Sequence, residues 1–374
     1  MKKASTFSLN NQLFNSKTVN EFVWRVEQAY PALDASAFQE KILAWFPERA
    51  LKERIERMAV CLHDYLPDGF AQASQIILNA LPKPLNPSLT DNDFGKFHVA
   101  PFATYVELYG LEDRERSREL LKQITMRFSI EFSVRAFINK HPDWMLEQFT
   151  KLATSPNYHQ RRLVSEWSRP LLPRASRIPR TYEQTLPLLD LLYTDPTRYV
   201  TRSVANHLND ISKNNPDIVI QTLKRRTEEG KQTPTELERM KRHALRTLLK
   251  QWDPQALNMM WYTDPSHIQV HDIHASSTVR IGDAFELSWT LLSTQWVLWT
   301  LLVTYSIGYL KKLWTRNETV YKIFTGAIDE DSYQFTKRQP MRLMTTRALY
   351  PWLHTWSISV NGIVTDEGEF ELVE

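Results

Sequence analysis

The chain has 374 residues, 42% of them hydrophobic and 24% charged, which is typical of a folded protein with two or three domains. Its formal net charge of +3 is too small to indicate a partner, and its single cysteine excludes an internal disulfide and fits a reducing compartment. Polar residues rather than an apolar run follow Met1, so we expect no secretory signal and a cytoplasmic location.

The N-terminal stretch, residues 1 to 92, is predicted to be helical. Apolar residues recur at helical spacing in TVNEFVWRVEQAY, DASAFQEKILAWF and ALKERIERMAVCLHDY. The segment PKPLNPSLTDND, residues 82 to 93, has the composition of a loop. Nothing in this stretch indicates chemistry, so we interpret it as packed helices.

A repeat is visible between residues 112 and 262. Arg162 begins RLVSEWS, Arg202 begins RSVANHL and Arg242 begins RHALRTL, so the three arginines are 40 residues apart. Each segment carries an apolar stripe and follows a second predicted helix. A period near 40 with two helices per unit is typical of HEAT-like repeats, which stack into an α-solenoid with a concave surface suited to a long ligand.

Charge is uneven around the first of these segments. Residues 161 to 180 contain six arginines and one acid, Glu166. Arginine matches phosphate geometry, so the run is either a solvated basic face or a phosphate-binding track. Another acid, Glu131 in RFSIEFSVRAFI, stands four residues from Arg127 and from Arg135. Glu131 belongs either to a ladder of ion pairs on one helix face or to a functional site.

The most clearly marked element is a helix predicted from Thr197 to Asp217, TRYVTRSVANHLNDISKNNPD. Asp195-Pro196 marks its start and Asn214-Asn215-Pro216 its end. An apolar stripe follows helical spacing and consists of Val200, Val204, Leu208 and Ile211. The other faces carry polar residues that form either a solvated face or a functional surface: Arg202, Asn206, His207, Asn209, Asp210 and Lys213.

Residues 266 to 374 change in character, because β-branched and aromatic residues increase and turn residues separate short runs. About seven short strands over this length predict an immunoglobulin-like sandwich, and Asn361-Gly362 predicts a hairpin turn. The segment from Leu287 to Leu310 has no charge over 24 residues, enough to span a bilayer. Because β-forming residues dominate it, we interpret it as two buried strands and expect no membrane association.

Four segments resemble the AlkC-type DNA alkylation repair proteins, which belong to the superfamily of HEAT-like-repeat DNA glycosylases. They are RFSIEFSVRAFI, RLVSEWSRPLLP, SVANHLNDISKNNPD and TTRALYPWLH. The resemblance covers nearly the whole chain and is weakest at residues 290 to 325. It implies three active-site carboxylates from successive repeats, Glu131, Glu166 and Asp210. It also implies a C-terminal domain that helps to grip DNA.

Further expectations depend on this resemblance. The partner is double-stranded DNA containing alkylated bases, the protein is a monomer, and neither a cofactor nor a metal is needed. The residues expected to contact DNA are Arg127, Arg135, Arg162, Arg169, Arg174, Arg202, Asn206, Lys213 and Arg347.

The chain departs from the family pattern in two ways. Arg174 stands where the family has a tryptophan that packs against the lesion nucleotide, and a guanidinium can stack in its place. Tryptophan also stands at four positions where the family tends to have glycine: Trp167, Trp252, Trp261 and Trp352. If those glycines serve turns, tryptophan strains the backbone there. The overall composition shows the same bias, because the chain has more tryptophans (12) than glycines (9).

The sequence therefore predicts a mainly α protein, with an α-solenoid of HEAT-like repeats over residues 1 to 264 and an immunoglobulin-like β-sandwich over residues 265 to 374. The predicted activity is a DNA glycosylase that excises positively charged N-alkylated bases, such as 3-methyladenine or 3-methylcytosine, in base excision repair. The alternatives are a non-catalytic HEAT-repeat scaffold and a catalytically weakened protein that only recognises damaged DNA. Three acids that converge in a basic groove favour the enzyme, because a scaffold has no use for them.

Overall fold

The structure is a computed structural model that describes residues 12–47, 49–87, 95–173, 175–178, 181–262, 265–294, 299–311, 314–328, 332–342 and 348–374, the side chains of residues 299, 327 and 328 excepted. Within these ranges, α-helices occupy the first two thirds of the chain and β-strands the last third. The helices are Ser16–Ala29 (α1), Ala35–Leu43 (α2), Leu51–Tyr65 (α3), Phe70–Ala80 (α4), Ala100–Tyr109 (α5), Arg114–Thr125 (α6), Val134–Lys140 (α7), Pro142–Leu152 (α8), Tyr158–Trp167 (α9), Tyr182–Leu192 (α10), Arg198–Ser212 (α11), Pro216–Glu229 (α12), Pro234–Ala244 (α13), Arg246–Lys250 (α14) and Pro254–Met259 (α15). The strands are Ile268–Ala275 (β1), Thr278–Arg280 (β2), Ala284–Ser293 (β3), Trp299–Leu310 (β4), Arg316–Ile328 (β5), Ser332–Pro340 (β6), Trp352–Val360 (β7) and Ile363–Val373 (β8).

The helices follow from the pattern of their residues. In α1 the side chain of Asn15 accepts hydrogen bonds from the backbone N–H groups of Lys17 and Thr18, which satisfies donors that a helix start leaves unpaired. In α11 the stripe predicted from helical spacing is buried, with Val200, Val204 and Leu208 each fully shielded from solvent. The helix ends at Ser212, next to the stop signal Asn214-Asn215-Pro216. The predicted end at Asp217 is too late, because Pro216 already begins α12.

The repeat of 40 residues corresponds to a row of helices packed side by side. α9 packs against α11, and α11 packs against α13. Each member of the row follows another helix in the chain, so that one repeat consists of two helices. The prediction of HEAT-like repeats followed by an immunoglobulin-like domain is confirmed. The row matters for function because residues at matching positions of successive repeats become neighbours.

The strands form two sheets that enclose an apolar core. One sheet has the order β1-β3-β6 and the other β2-β8-β7-β4-β5; all neighbours are antiparallel except β2 and β8. Alternate residues of β3, among them Phe285, Leu287 and Trp289, point into this core. Asn361 and Gly362 join β7 to β8 with φ values of 48° and 88°, the left-handed geometry that a two-residue hairpin turn requires.

Within the uncharged segment from Leu287 to Leu310, residues 287–293 lie in β3 and residues 299–310 in β4, in agreement with the prediction of two strands. Among the residues that the structure describes, no helix is long and apolar enough to cross a membrane. Neither β2 nor β6 has an apolar run from which the sequence could predict a strand. β6 has the sequence SYQFTKRQP, in which half-buried and exposed residues alternate, and such an edge strand has no apolar run to reveal it.

Contacts divide the chain into two compact units. The first runs up to Asn214 and resumes from Lys224 to Ala244, whereas the second consists of Asn215–Leu223 and Leu245–Glu374. The helices after residue 244 therefore belong with the strands; the hydroxyl of Tyr262, for example, lies 3.0 Å from that of Thr325 in β5. The boundary at residue 264, taken as a statement about independent folding, stays a prediction.

Candidate active site

The three predicted carboxylates lie in one continuous row of ion pairs. Arg162 lies 3.6 Å from Glu131 and 3.5 Å from Glu166. Arg169 lies 2.7 Å from Glu166 and donates from Nε to Asp210 at 2.8 Å. The row thus alternates in charge as Glu131, Arg162, Glu166, Arg169, Asp210, and Lys213 ends it at 3.2 Å from Asp210.

Spacing along two neighbouring helices produces this row. On α9 and just beyond it, Arg162, Glu166 and Arg169 stand four and three residues apart, so they share one helix face. α11 presents Asp210 to the same face. Two serines at the contact allow the helices to approach closely, since the hydroxyl of Ser165 donates to that of Ser203 at 2.8 Å.

Glu131 does not lie where the sequence suggested. It occupies a turn before α7 rather than a helix, so the predicted ladder with Arg127 and Arg135 on one helix face is not formed. Ser129 connects Glu131 to the row: its hydroxyl donates to the Glu131 carboxylate and accepts from Arg162. The sequence analysis missed Ser129, and only its place two residues before the acid marks it.

Exposure differs among the three carboxylates. The side chain of Glu131 is 17% exposed, compared with 6% for Glu166 and 1% for Asp210. Each oxygen of Glu166 has a polar partner, since Ser203 donates to the oxygen that Arg169 does not reach. Glu131 is therefore the carboxylate of the row that a molecule outside the protein can reach most readily.

The electrostatics of Glu166 follow from its surroundings. Burial raises the pKa of Glu166, but the charges of Arg162 and Arg169, with hydrogen bonds from Ser203 and Arg169, outweigh burial and lower this pKa to about 2. Beside it, burial lowers the pKa of His207 to about 4. Its Nδ1 lies 3.0 Å from the carbonyl oxygen of Ser165, and a neutral imidazole donates there. At neutral pH, Glu166 is therefore ionised and His207 is neutral.

The lowered pKa of Glu166 makes stability depend on acidity. A carboxylate whose pKa is depressed in the folded state stabilises the fold fully above its unfolded pKa of about 4.5 and loses that contribution as pH falls towards about 2. We expect the melting temperature of the wild type to exceed that of Glu166→Gln at pH 6, and the gap to close between about pH 4.5 and pH 2. Parallel melting curves over that range would contradict the assignment.

Two of the predicted DNA-binding arginines bind the protein's own backbone. Arg127 donates from Nε to the carbonyl oxygen of Pro82 at 2.6 Å, and Arg135 donates to those of Arg169 and Ser176 at 2.6 and 3.0 Å. Both are buried. Arg135 therefore connects α7 to the segment that follows α9.

The other residues predicted to contact DNA differ in how far they are exposed to solvent. Arg202 is half-buried, with its guanidinium 5.7 Å from the ring centre of Tyr199, and the Asn206 side chain lies 2.7 Å from the imidazole of His243. Lys213 is exposed at the end of α11. Arg162 and Arg169 are buried in the row of ion pairs. Arg174 and Arg347 lie outside the described residues.

Tyr199 is a further residue of this site that the sequence analysis did not single out. Its ring centre lies 4.8 Å from the guanidinium of Arg162, and the ring is buried. Arginine on an aromatic face is a favourable contact, so Tyr199 helps to hold Arg162 in line with the acids. Within the described ranges no three His, Cys, Asp or Glu side chains are placed to hold a metal ion.

Comparison with known proteins gives three findings. The family model described as "Uncharacterised protein YhaZ, C-terminal Ig-like domain" matches residues 269–374. "Uncharacterized protein YhaZ" of Bacillus subtilis (strain 168) is 32% identical over 367 residues, which is 96% of this chain and 98% of that protein. The solved structure of Pseudomonas fluorescens alkylpurine DNA glycosylase AlkC, bound to DNA containing an abasic site analog, is 29% identical with a TM-score of 0.87, and the match covers 98% of this chain and 100% of that one.

Proposed function

Because this chain belongs to the AlkC-type family of DNA alkylation repair proteins, which carry a C-terminal immunoglobulin-like domain, we propose that it is a DNA glycosylase. Its substrates are positively charged N-alkylated bases in double-stranded DNA, such as 3-methyladenine or 3-methylcytosine. The observation that carries the proposal is the row of ion pairs that holds Glu131, Glu166 and Asp210 together.

The reaction requires little from the protein other than negative charges held at fixed positions. A base alkylated at N3 is already cationic, so it leaves without being protonated. As the glycosidic bond breaks, positive charge develops on the sugar, and a water must then reach C1′. Fixed carboxylates stabilise such a charge because the protein has oriented them before the reaction begins. One of them can also accept a proton from the water.

We propose a different role for each of the three acids, on the basis of its contacts and its exposure. Glu131, at the accessible end of the row, faces the sugar and the attacking water. Asp210 supplies a buried negative charge that adds to the field. Glu166 is a positioning residue, because its oxygens are occupied by Arg162, Arg169 and Ser203. In this assignment Arg162 and Arg169 orient carboxylates instead of binding phosphate, whereas the exposed Lys213, beside Asp210, can contact DNA.

The cost of the arrangement favours an enzyme over a scaffold. Burying a carboxylate costs free energy even when it is paired with a cation. Replacing a buried ion pair by apolar residues often leaves the stability of the fold unchanged or increases it. Glu166 and Asp210 are both buried in this way. A scaffold gains nothing from such charges, whereas a site that must stabilise a sugar cation does.

Release of modified bases tests this function directly. Duplex DNA treated with a methylating agent is incubated with the full chain, and the released bases are separated by chromatography. We expect N3-methylated bases to appear in proportion to the protein, and none to appear from untreated DNA. Tight binding to methylated DNA without release above the buffer control would leave the damage-recognition alternative instead.

A further inference from the structure

Four tryptophans have backbone conformations that side chains rarely tolerate. The φ angles are 58° at Trp252, 61° at Trp261, 58° at Trp314 and 148° at Trp352. For a bulky residue a positive φ is an outlier, since it drives Cβ against the neighbouring carbonyl oxygen. Glycine, which has no Cβ, adopts these angles freely.

The rest of the described chain follows the ordinary rule. Six of its nine glycines have positive φ. Apart from the tryptophans, the positive-φ residues of the described ranges that are not glycine are Asp272 and Asn361, two types that tolerate this geometry. Tryptophan therefore behaves at these four positions as glycine does elsewhere in the protein.

The turns at two of these positions are of a kind that glycine normally closes. After α15, the N–H of Trp261 donates to the carbonyl oxygen of Asn258 at 3.0 Å, and that of Tyr262 donates to Leu257 at 3.0 Å. This pair of bonds is a Schellman motif, in which the residue at Trp261 is left-handed and usually glycine. After α14, the N–H of Asp253 donates to Leu248 at 3.1 Å, which places Trp252 at the same point of the same motif.

The other two positions lie in the sandwich. Trp314 is in the connection between β4 and β5, where its N–H donates to the carbonyl oxygen of Lys311 at 2.9 Å. Trp352 is the first residue of β7. Four separate positions thus share one residue type and one geometric demand.

An aromatic surface that stacks on DNA bases is the competing interpretation. Trp261 and Trp314 are each 71% exposed and Trp352 is 56% exposed, and exposed aromatic rings do bind single-stranded nucleic acid. Stacking, however, does not require a left-handed backbone. It also leaves Trp252 unexplained, because that ring is half-buried against Gly362.

We infer that positions 252, 261, 314 and 352 are glycine positions, and that the protein working in its own cell carries glycine at them. One codon connects the two residues: UGA is a stop codon in the standard genetic code, tryptophan in several variant codes and glycine in another. Reading UGA as glycine removes the strain at all four positions. It also moves the composition, 9 Gly against 12 Trp, towards the usual glycine content of about 7%.

Paired variants of one turn separate the backbone from the ring. Trp261→Gly and Trp261→Ala both remove the indole, but only glycine relieves the left-handed geometry. We expect Trp261→Gly to raise the melting temperature of the full chain by about 2–4 °C, and Trp261→Ala to give no comparable gain. The pair at Trp314 should behave alike. Trp289→Gly is the control in the opposite direction, because that ring fills the sandwich core and its loss should lower the melting temperature. Equal gains from glycine and alanine would overturn the backbone argument.

Affinity for methylated duplex DNA, measured with the same variants, tests the stacking alternative. We expect Trp261→Gly and Trp314→Gly to bind DNA as tightly as the parent chain, whereas a tenfold loss in both would identify a stacking surface.

The codons and the peptide masses of the protein isolated from its own cells complete the test. We expect UGA codons and glycine-containing peptides at all four positions, and UGG at Trp289. UGG codons at the four positions, with tryptophan in the peptides, would overturn the inference.

Discussion

Replacing Glu131 by Gln is expected to lower the single-turnover rate of base release by about 100-fold or more, the scale of losing one preorganised electrostatic contact. The amide keeps an oxygen for the Ser129 hydroxyl and for Arg162 but removes the charge that we propose to face the sugar. Glu131 is half-buried in a turn, so its substitution should change the melting temperature little. The measurement is the release rate at saturating protein, with DNA affinity determined in parallel.

Glu236→Gln is the matched control for this variant. Glu236 resembles Glu131 in its surroundings, because it pairs with an arginine, Arg198 at 2.8 Å, and accepts a hydrogen bond from the hydroxyl of Thr201. The two side chains are also similarly exposed, at 15% and 17%. We expect Glu236→Gln to retain the wild-type rate. Equal losses of rate in both variants would show that the effect is structural and does not come from catalysis.

Replacing Arg169 by Ala is expected to destabilise the fold by about 3–5 kcal/mol, because removing one partner of a buried ion pair leaves the remaining charge uncompensated. Here two carboxylates lose their partner, Glu166 at 2.7 Å and Asp210 at 2.8 Å. Arg162 and Lys213 still lie near them, which limits the loss. The measurement is the free energy of unfolding in denaturant at neutral pH.

Arg225→Ala provides the comparison for an exposed pair. Arg225 binds Asp190 and Glu229 with short contacts, yet its side chain is 46% exposed. Surface pairs of this kind contribute about 0–1 kcal/mol. If Arg169→Ala cost no more than Arg225→Ala, the row of ion pairs would not be the element that holds the carboxylates in place.

The fold was predictable where local pattern decides the structure. The spacing of Val200, Val204 and Leu208 predicts α11 and its buried face, and the 40-residue repeat predicts which helices become neighbours. Asn361-Gly362 predicts the hairpin because both residues adopt positive φ readily. These features depend on residues close together in the chain.

The candidate site was predictable only in part, because its contacts join residues far apart in the chain. The sequence suggested a phosphate track from the arginines after residue 160, but charge alone does not reveal their partners. Arg161 pairs with Asp195 at 2.5 Å, and Arg169 pairs with Asp210, 34 and 41 residues away. The turn at Glu131 also escaped prediction, since RFSIEFSV has helical spacing of its charges but folds as a turn. The resemblance pointed to the acids, and the coordinates show which of them are reachable.

The single-turnover release of methylated base by Asp210→Asn, measured beside the wild type with a melting curve for each, shows whether the buried carboxylates of the row take part in the reaction. Asp210 is 1% exposed, so we expect it to act on the reaction through its charge and not through contact with the sugar. Asparagine preserves its shape and its hydrogen-bond acceptor. The account predicts a loss of about 100-fold or more per folded molecule, with DNA affinity unchanged or higher because a charge that repels phosphate has gone. A rate that falls only in proportion to the folded fraction would contradict it and leave the row of ion pairs as a structural network.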